Sequence, residues 1–201
     1  MAAAATLVLA SASPRRSALL RQLGLVHRVV PAQLEERRLE GELIEQCVQR
    51  LAAQKALQVS AQLTAAEPGA PPMAVLGADT TVVIDGRMLG KPRDRDDGLS
   101  MLERLSGREH TVLSAVALVY AGTMHAARSR SLVRFRGLAR PECEAYWDSG
   151  EPQDKAGGYA IQGRGAVFVE SLVGSYSGVM GLPLFETAAL LTAAGLPVWQ
   201  A

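Results

Sequence analysis

An excess of charge of either sign is missing from this sequence. Its 21 Lys and Arg stand against 20 Asp and Glu, a formal net charge of +1. No global field draws such a chain to nucleic acid, so any anion site must be a local cluster. Cysteine is as sparse. Cys47 and Cys143 show no metal or redox spacing, and Cys47 falls on the apolar side of a predicted helix, as a buried thiol would. No His-rich or Cys-rich spacing is present either, so a metal held by oxygen, Mg²⁺ or Mn²⁺, fits better than zinc. No apolar run approaches a membrane span. The run Ala2–Ala10 leads into Ala10-Ser11-Ala12, which mimics a signal-peptide cleavage site. It has no basic n-region and is too short, so a soluble, cytoplasmic protein without membrane or nucleic-acid partners is expected. The Gly-x-Gly-x-x-Gly fingerprint is absent. A Walker A loop fails as well, because three residues instead of four separate Gly86 from Gly90 and Lys91 is followed by Pro92. With no internal repeat and no low-complexity linker, the 201 residues, 48% of them apolar, suffice for one domain or for two small lobes around a shared cleft.

The stretch 74–84, Ala-Val-Leu-Gly-Ala-Asp-Thr-Thr-Val-Val-Ile, reads as a strand closed by the turn pair Asp85-Gly86, with Arg87-Met88-Leu89 returning as a hairpin arm. Asp79 lies at its middle among apolar residues. A carboxylate there is costly to bury without a partner. It is either a catalytic acid or base, a metal ligand, or a strand-end Asp taking hydrogen bonds from a loop. Upstream, the strand Thr6–Ala10 leads through Ser11-Ala12-Ser13 into a helix opened by Pro14 and ended by Gly24, with Ser13 as its natural N-cap. Arg15 and Arg16 in the first turn oppose the helix dipole. The conflict disappears if an anion sits at that terminus, held by backbone N–H groups, the Ser13 hydroxyl and a guanidinium. The alternative is two solvated arginines. The next predicted helix, 42–62, places Ile44, Cys47, Val48, Leu51 and Lys55 on one stripe. Lys55 in an apolar stripe either snorkels outward or points its ammonium into a polar cleft.

Residues 65–72 read as a loop, and Asp94 caps a helix carrying Leu99, Leu102 and Leu105. Strands follow at 110–120 and 124–135, the second with Arg128, Arg130, Leu132, Arg134 and Arg136 on one face. That stripe has no interleaved aromatics and reads as a solvated face or a partner surface, not as an RNA platform. A short helix at 141–148 precedes a segment with glycines at 150, 157, 158, 163 and 165, suited to close approach, with Lys155 and Gln162 as polar handles. The Gln162 amide carries a donor and an acceptor, which suits the edge of a base. A strand at 166–173 and a helix opened by Gly181-Leu182-Pro183 complete the chain. The inventory is thus one acid in a strand, an acid pair at Glu35-Glu36, and cations at 15, 16, 55, 91 and 155. Cations that hold phosphates, with a metal that lowers the pKa of bound water, are what hydrolysis of a triphosphate needs. Asp79 would work with a divalent ion that a carboxylate such as Glu36 helps to hold.

These residues resemble the Maf family (septum formation protein Maf), nucleoside triphosphate pyrophosphatases. The resemblance is carried by 11–16 (Ser-Ala-Ser-Pro-Arg-Arg), Glu36, Lys55, 77–80 (Gly-Ala-Asp-Thr), Lys91-Pro92, 105–107 with His110, 154–157 (Asp-Lys-Ala-Gly), 161–163 (Ile-Gln-Gly) and 181–183. It runs through almost the whole chain in the family's order. It implies an α/β fold of two lobes around a central cleft, with a mixed, largely antiparallel sheet similar to that of inosine triphosphate pyrophosphatases. Residues 1–201 would then be one domain without a separate linker, usually as a homodimer. It also implies cleavage between the α and β phosphates to give a monophosphate and pyrophosphate, with Asp79 as proton acceptor. Phosphate would be bound by Ser13, Arg16, Lys55, Lys91 and Lys155, and metal by Asp79 and Glu36. Arg15, Thr80 and Gln162 stand at the specificity positions and resemble the branch acting on dTTP and UTP more than the sister branch acting on 7-methyl-GTP. Leu34-Glu35 departs from the family's usual Asp-Glu, so either Glu35 or Glu36 meets the metal. The family's name keeps a second role in view, a non-catalytic, nucleotide-binding regulator of division.

Overall fold

The computed structural model describes residues 5–196 and 198–199; the first alanines of the Ala2–Ala10 run lie outside them. The backbone is mixed α/β, with seven strands in a single sheet. β1 (Leu7–Leu9) pairs in parallel with β2 (His27–Val29) and with β3 (Ala74–Ile84), Leu7 standing opposite His27 on one side and Ala74 on the other. β4 (Arg87–Leu89) is antiparallel to β3 across Asp85-Gly86. Both turn residues have positive φ, 51° and 69°, as the tight hairpin turn requires. β5 (Glu109–Tyr120) and β6 (Thr123–Phe135) follow, and β7 (Val169–Val173) pairs antiparallel with β6. The strand order is β2-β1-β3-β5-β6-β7, with β4 branching from β3.

The chain divides into two compact units, and β3, β5 and β6 each contribute residues to both. The first unit comprises the chain through Asp79, Ser114–Ser129 and the part from Gly181 onward. It carries α1 (Pro14–Gln22), α2 (Ile44–Ala66) and, near the C-terminus, a helix over Leu184–Ala193. The buried side of α2 is Cys47, Val48, Leu51, Ala52, Lys55, Ala56, Val59 and Leu63, the stripe that helical spacing predicts, with a lysine inside it. The second unit, Thr80–Leu113 with Arg130–Met180, has its own core. Val82, Leu99, Leu102, Leu105, Val133, Phe135, Tyr146, Tyr159 and Phe168 pack there, with edge-to-face contacts linking Phe135 to Tyr159 and Phe168 to both Phe135 and Tyr146. The arginine stripe on β6 alternates with buried Ser129, Ser131, Val133 and Phe135, a solvated sheet face in which Arg134 meets Glu170 at 3.1 Å.

Several elements depart from their expected bounds. α2 begins two residues later than expected and runs on through Ala66, because alanines continue a helix as well as any residue and Pro68-Gly69 only stops it afterwards. β2, three residues long with His27 and Arg28, carries no alternating apolar signal and escapes sequence reading. Residues 164–168 wind as a 3₁₀ helix before β7, so the strand expected from 166 starts at 169. Among the described residues no helix is long and apolar enough to cross a membrane.

Candidate active site

Within the first unit, local chemistry converges on Asp79. Residues 77 and 79 lie on the same face of β3, and Gly77 is where α2 comes closest. A Cβ on Gly77 would sit 2.3 Å from the Ala52 carbonyl oxygen and 2.7 Å from the Ala56 nitrogen, so only glycine lets the helix backbone lie against the strand here. That approach delivers Lys55, which shares the helix face with Ala52 and Ala56, to the carboxylate two residues along the strand. Lys55 Nζ lies 2.7 Å from Asp79 Oδ1 and 2.6 Å from Glu36 Oε1. Lys55 and Asp79 are 6% and 7% exposed, while the Glu36 side chain is half-exposed. The ammonium therefore neither snorkels nor stands alone; it ties two carboxylates from different parts of the chain to one nitrogen.

α1 supplies the second cation. Its Schellman ending uses Gly24 at positive φ, with Leu25 N–H bonded to Leu20 O at 3.1 Å. At its other end, Ser13 has extended N-cap dihedrals, but its side chain makes no capping bond to the helix, contrary to its reading as a natural cap. The Ser13 N–H instead donates to Ser11 Oγ at 3.2 Å. Arg16 donates from Nε to Gly181 O at 2.8 Å and from Nη1 to Ser11 Oγ at 3.1 Å. Burial lowers the Arg16 pKa, against the pull of the Asp79 and Glu36 charges, and the guanidinium stays cationic at any ordinary pH. Burial pushes the Asp79 carboxyl above the usual carboxylate range, opposed by Lys55 and Arg16 and reinforced by Glu36. A carboxylate raised in this way is a better acceptor for a proton of water than a solvated one.

In the second unit, Gly157 N–H donates to Gly90 O at 3.0 Å, which brings together the backbone segments that carry Lys155 and Lys91. Gly157 has φ 72°, and a Cβ there would strike Val82 Cγ2 at 2.8 Å. Lys91 is exposed. Lys155 Nζ reaches Glu151 O at 3.1 Å and pairs with Asp154. Thr80, next to Asp79, is half-buried and Gln162 is exposed. Glu151 organises the loop that holds Gln162. Its carboxylate accepts from Arg164 N, Gly165 N and Tyr146 Oη at 2.9, 3.1 and 2.8 Å, and Gly163 packs so tightly on it that a Cβ would lie 2.2 Å from Oε2. Glu151, Ser11 and the Gly181 carbonyl are the parts that sequence reading missed. Glu151 sits between glycine and proline without periodicity. Ser11 shows only as one of two serines in the loop before α1, and a carbonyl has no sequence signature.

Glu35 pairs with Arg37 at 3.3 Å, both side chains exposed; Glu36 is the member of the acid pair on Lys55. Among the described residues no group of three or more His, Cys, Asp and Glu side chains could hold a metal.

Residues 6–194 match the family model described as Maf-like protein. The dTTP/UTP pyrophosphatase of Saccharophagus degradans is 51% identical over 196 residues, covering 98% of this chain and 92% of that one. The dTTP/UTP pyrophosphatase of Burkholderia lata is 52% identical over 197 residues, covering 94% and 93%. Among solved structures, the Staphylococcus aureus Ham1 protein aligns over 82% of this chain and 79% of its own at 12% identity and a TM-score of 0.39.

Proposed function

The chain belongs to the Maf family, and from that premise we propose that it is a nucleoside triphosphate pyrophosphatase that cleaves dTTP and UTP to the monophosphate and pyrophosphate. The observation that carries the reading is Asp79, a buried strand carboxylate held by Lys55 with Glu36 on the same ammonium. Relatives at about half identity over nearly the whole chain bear the name of that activity.

In this reading Asp79 takes the proton of the water whose oxygen attacks the α-phosphorus, while the bond to the bridging oxygen breaks and pyrophosphate leaves. Ser13, Arg16, Lys55, Lys91 and Lys155 bind the phosphates, Ser13 through its hydroxyl and the four cations by offsetting the charge that otherwise repels the nucleophile. Arg15, Thr80 and Gln162 select the pyrimidine. An amide and a small hydroxyl match its polar edge, and a base that leaves them unpaired is penalised. The donor set suits a hard divalent cation. Two carboxylates that meet at one nitrogen, with no third His, Cys, Asp or Glu grouped with them among the described residues, are what Mg²⁺ or Mn²⁺ uses when water and substrate phosphates complete its shell. Glu36 and Asp79 would hold it, and it would supply charge neutralisation and a more acidic water. The protein acts as a homodimer in this reading.

A panel of nucleoside triphosphates assayed for pyrophosphate release with Mg²⁺ or Mn²⁺ tests this. dTTP and UTP are expected to turn over fastest. Fastest turnover of 7-methyl-GTP would overturn the roles given to residues 15, 80 and 162, and no release from any triphosphate would overturn the activity.

A further inference from the structure

Glu36 stands on an irregular stretch, residues 31–43, with no helix or strand of its own, yet that stretch is tied to α2 at both ends. Gln33 N–H donates to Gln58 Oε1 and Gln58 Nε2 donates to Gln33 O, each at 2.9 Å, so one side chain imitates a strand neighbour. At the other end Arg50 grips Glu42 with Nε and Nη2 at 2.6 and 2.8 Å, and its Nη2 also reaches Arg37 O at 2.9 Å. Glu42 in turn accepts from Leu39 N at 3.0 Å, and Arg38 Nε donates to Glu42 O at 2.6 Å. The two side chains are 23% and 10% exposed, and a bidentate pair in so sheltered a place is geometrically specific. The stretch therefore runs antiparallel to α2: Gln33 meets Gln58, Glu36 meets Lys55, and 37–42 meet Arg50.

Glu36 is thus bracketed. Left to itself, an irregular segment would lose a large conformational entropy on fixing a carboxylate in one place, and the Lys55 contact cannot be its only restraint. If a divalent cation enters between the carboxylates of Glu36 and Asp79, the ammonium that joins them has to yield, and only the two outer clamps still hold the segment.

We propose that Gln58 and the Arg50–Glu42 pair are positioning residues for Glu36, keeping its carboxylate where it shares a divalent cation with Asp79. This rests on the role given to Glu36 above. Partners of this kind, one step behind a metal-binding carboxylate, typically govern metal affinity about 10-fold or more.

The test uses Gln58→Ala and Arg50→Met in the full chain, alone and combined with Glu36→Gln. Three quantities are measured: the Mg²⁺ concentration for half-maximal pyrophosphate release, kcat at saturating Mg²⁺, and amide hydrogen exchange at Gln33 and Leu39 in metal-free protein. The expected result is a half-saturating Mg²⁺ raised about 10-fold, kcat near the parent's once Mg²⁺ saturates, and faster exchange at the two amides. In the Glu36→Gln background neither change should shift the Mg²⁺ dependence further, because coupled residues do not add. Gln58 is a half-buried helix position outside the buried stripe of α2, where alanine is well tolerated, so that variant decides the matter if Arg50→Met fails to fold. Unchanged half-saturation in Gln58→Ala, or a shift that persists in full beside Glu36→Gln, overturns the positioning role while leaving the pyrophosphatase reading intact. A Glu36→Gln protein with the parent's Mg²⁺ dependence overturns both the role of Glu36 and this inference, and does so without the clamp variants.

Discussion

In the first unit Lys55 and Asp79 are buried as ions, 6% and 7% exposed; in the second His110 and Tyr159, 3% and 5% exposed, are buried as a neutral pair. His110 Nε2 and Tyr159 Oη are 2.9 Å apart, and the imidazole stands edge-on to Phe135 and Tyr159 at ring distances of 5.0 and 5.5 Å. Burial pushes His110 down to about 4 and pushes the Tyr159 phenol well up, so both stay uncharged near neutrality. His110 Nδ1 has no hydrogen-bond partner among the described residues, which a neutral ring tolerates and an imidazolium with two donors would not. A neutral pair of this kind is a stable way to place polar atoms in a core. A buried ion pair is not, since desolvating two charges consumes most of what their attraction returns. The Lys55–Asp79 pair also has an outlet that the other lacks, the half-exposed Glu36 carboxylate on the same ammonium. Two charges retained where hydrophobic side chains would be at least as stable point to chemistry, and the neutral pair points to architecture.

The sharpest way to break the contrast is Asp79→Asn. The amide oxygen still accepts from Lys55, so the fold is expected to survive and nucleotide affinity to persist. Turnover should fall by about 10²–10⁴-fold, the usual contribution of a positioned general base. Pyrophosphate release and equilibrium nucleotide binding measured on the same preparation check it; a variant with parental turnover would remove Asp79 from the chemistry. Lys55→Met comes next. It strands Asp79 without its cation, and breaking a buried pair from one side costs about 3–5 kcal/mol. Without Lys55, burial raises the folded-state pKa of Asp79 further above its unfolded value. The penalty is therefore full at alkaline pH and relieved as pH falls and the carboxyl takes up a proton. Urea unfolding across pH 5–8 should show that slope, and adding Asp79→Asn should recover most of the loss.

How much of this was legible beforehand differs between the two pairs for a physical reason. Asp79 announces itself, because one carboxylate in a run of Val, Leu and Ile is a local anomaly, and Lys55 does so because it breaks a helical stripe. Gly77 was legible only as part of a motif; its need to be glycine comes from Ala52 and Ala56, more than 20 residues away, and no local pattern contains that contact. His110 was legible only as part of a family motif and Tyr159 not at all, since a histidine beginning a strand and a tyrosine in a glycine-rich loop are each locally unremarkable and nothing in the sequence joins them. The parallel pairing of β1 with β2 was equally hidden, because three residues are too few for a period to show. Strong local conflicts are readable from sequence. Partnerships made by the fold are readable only where one partner is already out of place.

The neutral pair yields its own pH dependence, opposite in sign to that of Lys55→Met. His110 takes a proton in the unfolded chain below about pH 6.5 but in the folded protein only below about 4. The unfolded state therefore binds more protons between those values, and stability falls as pH falls through them. The loss reaches about 3 kcal/mol by the lower end, at roughly 1.4 kcal/mol per pH unit at its steepest. His110→Phe should flatten the slope by one proton while lowering stability at neutral pH, because Tyr159 Oη then loses its partner. Urea midpoints for parent and variant between pH 7 and 4.5 distinguish this from a general acid response. Equal slopes in the two proteins would mean that His110 titrates normally.

The smallest expected effect comes from Tyr159→Phe, which removes one hydroxyl and leaves the ring in its cluster with Phe135 and His110. His110 Nε2 is then left without its bond, a loss of about 1–2 kcal/mol for an unsatisfied buried nitrogen, well below the cost of breaking the ion pair in the first unit. Because the pair is neutral, no charge is stranded. The loss should be nearly constant above pH 7, and kcat should stay close to the parent's. Chemical unfolding at pH 7 and pH 9 beside a turnover assay settles it. A Tyr159→Phe protein whose stability changes with pH over that range, or whose turnover collapses, would show that the phenol works as an acid or holds a charge, and the division between a charged working pair and a neutral supporting one would not hold.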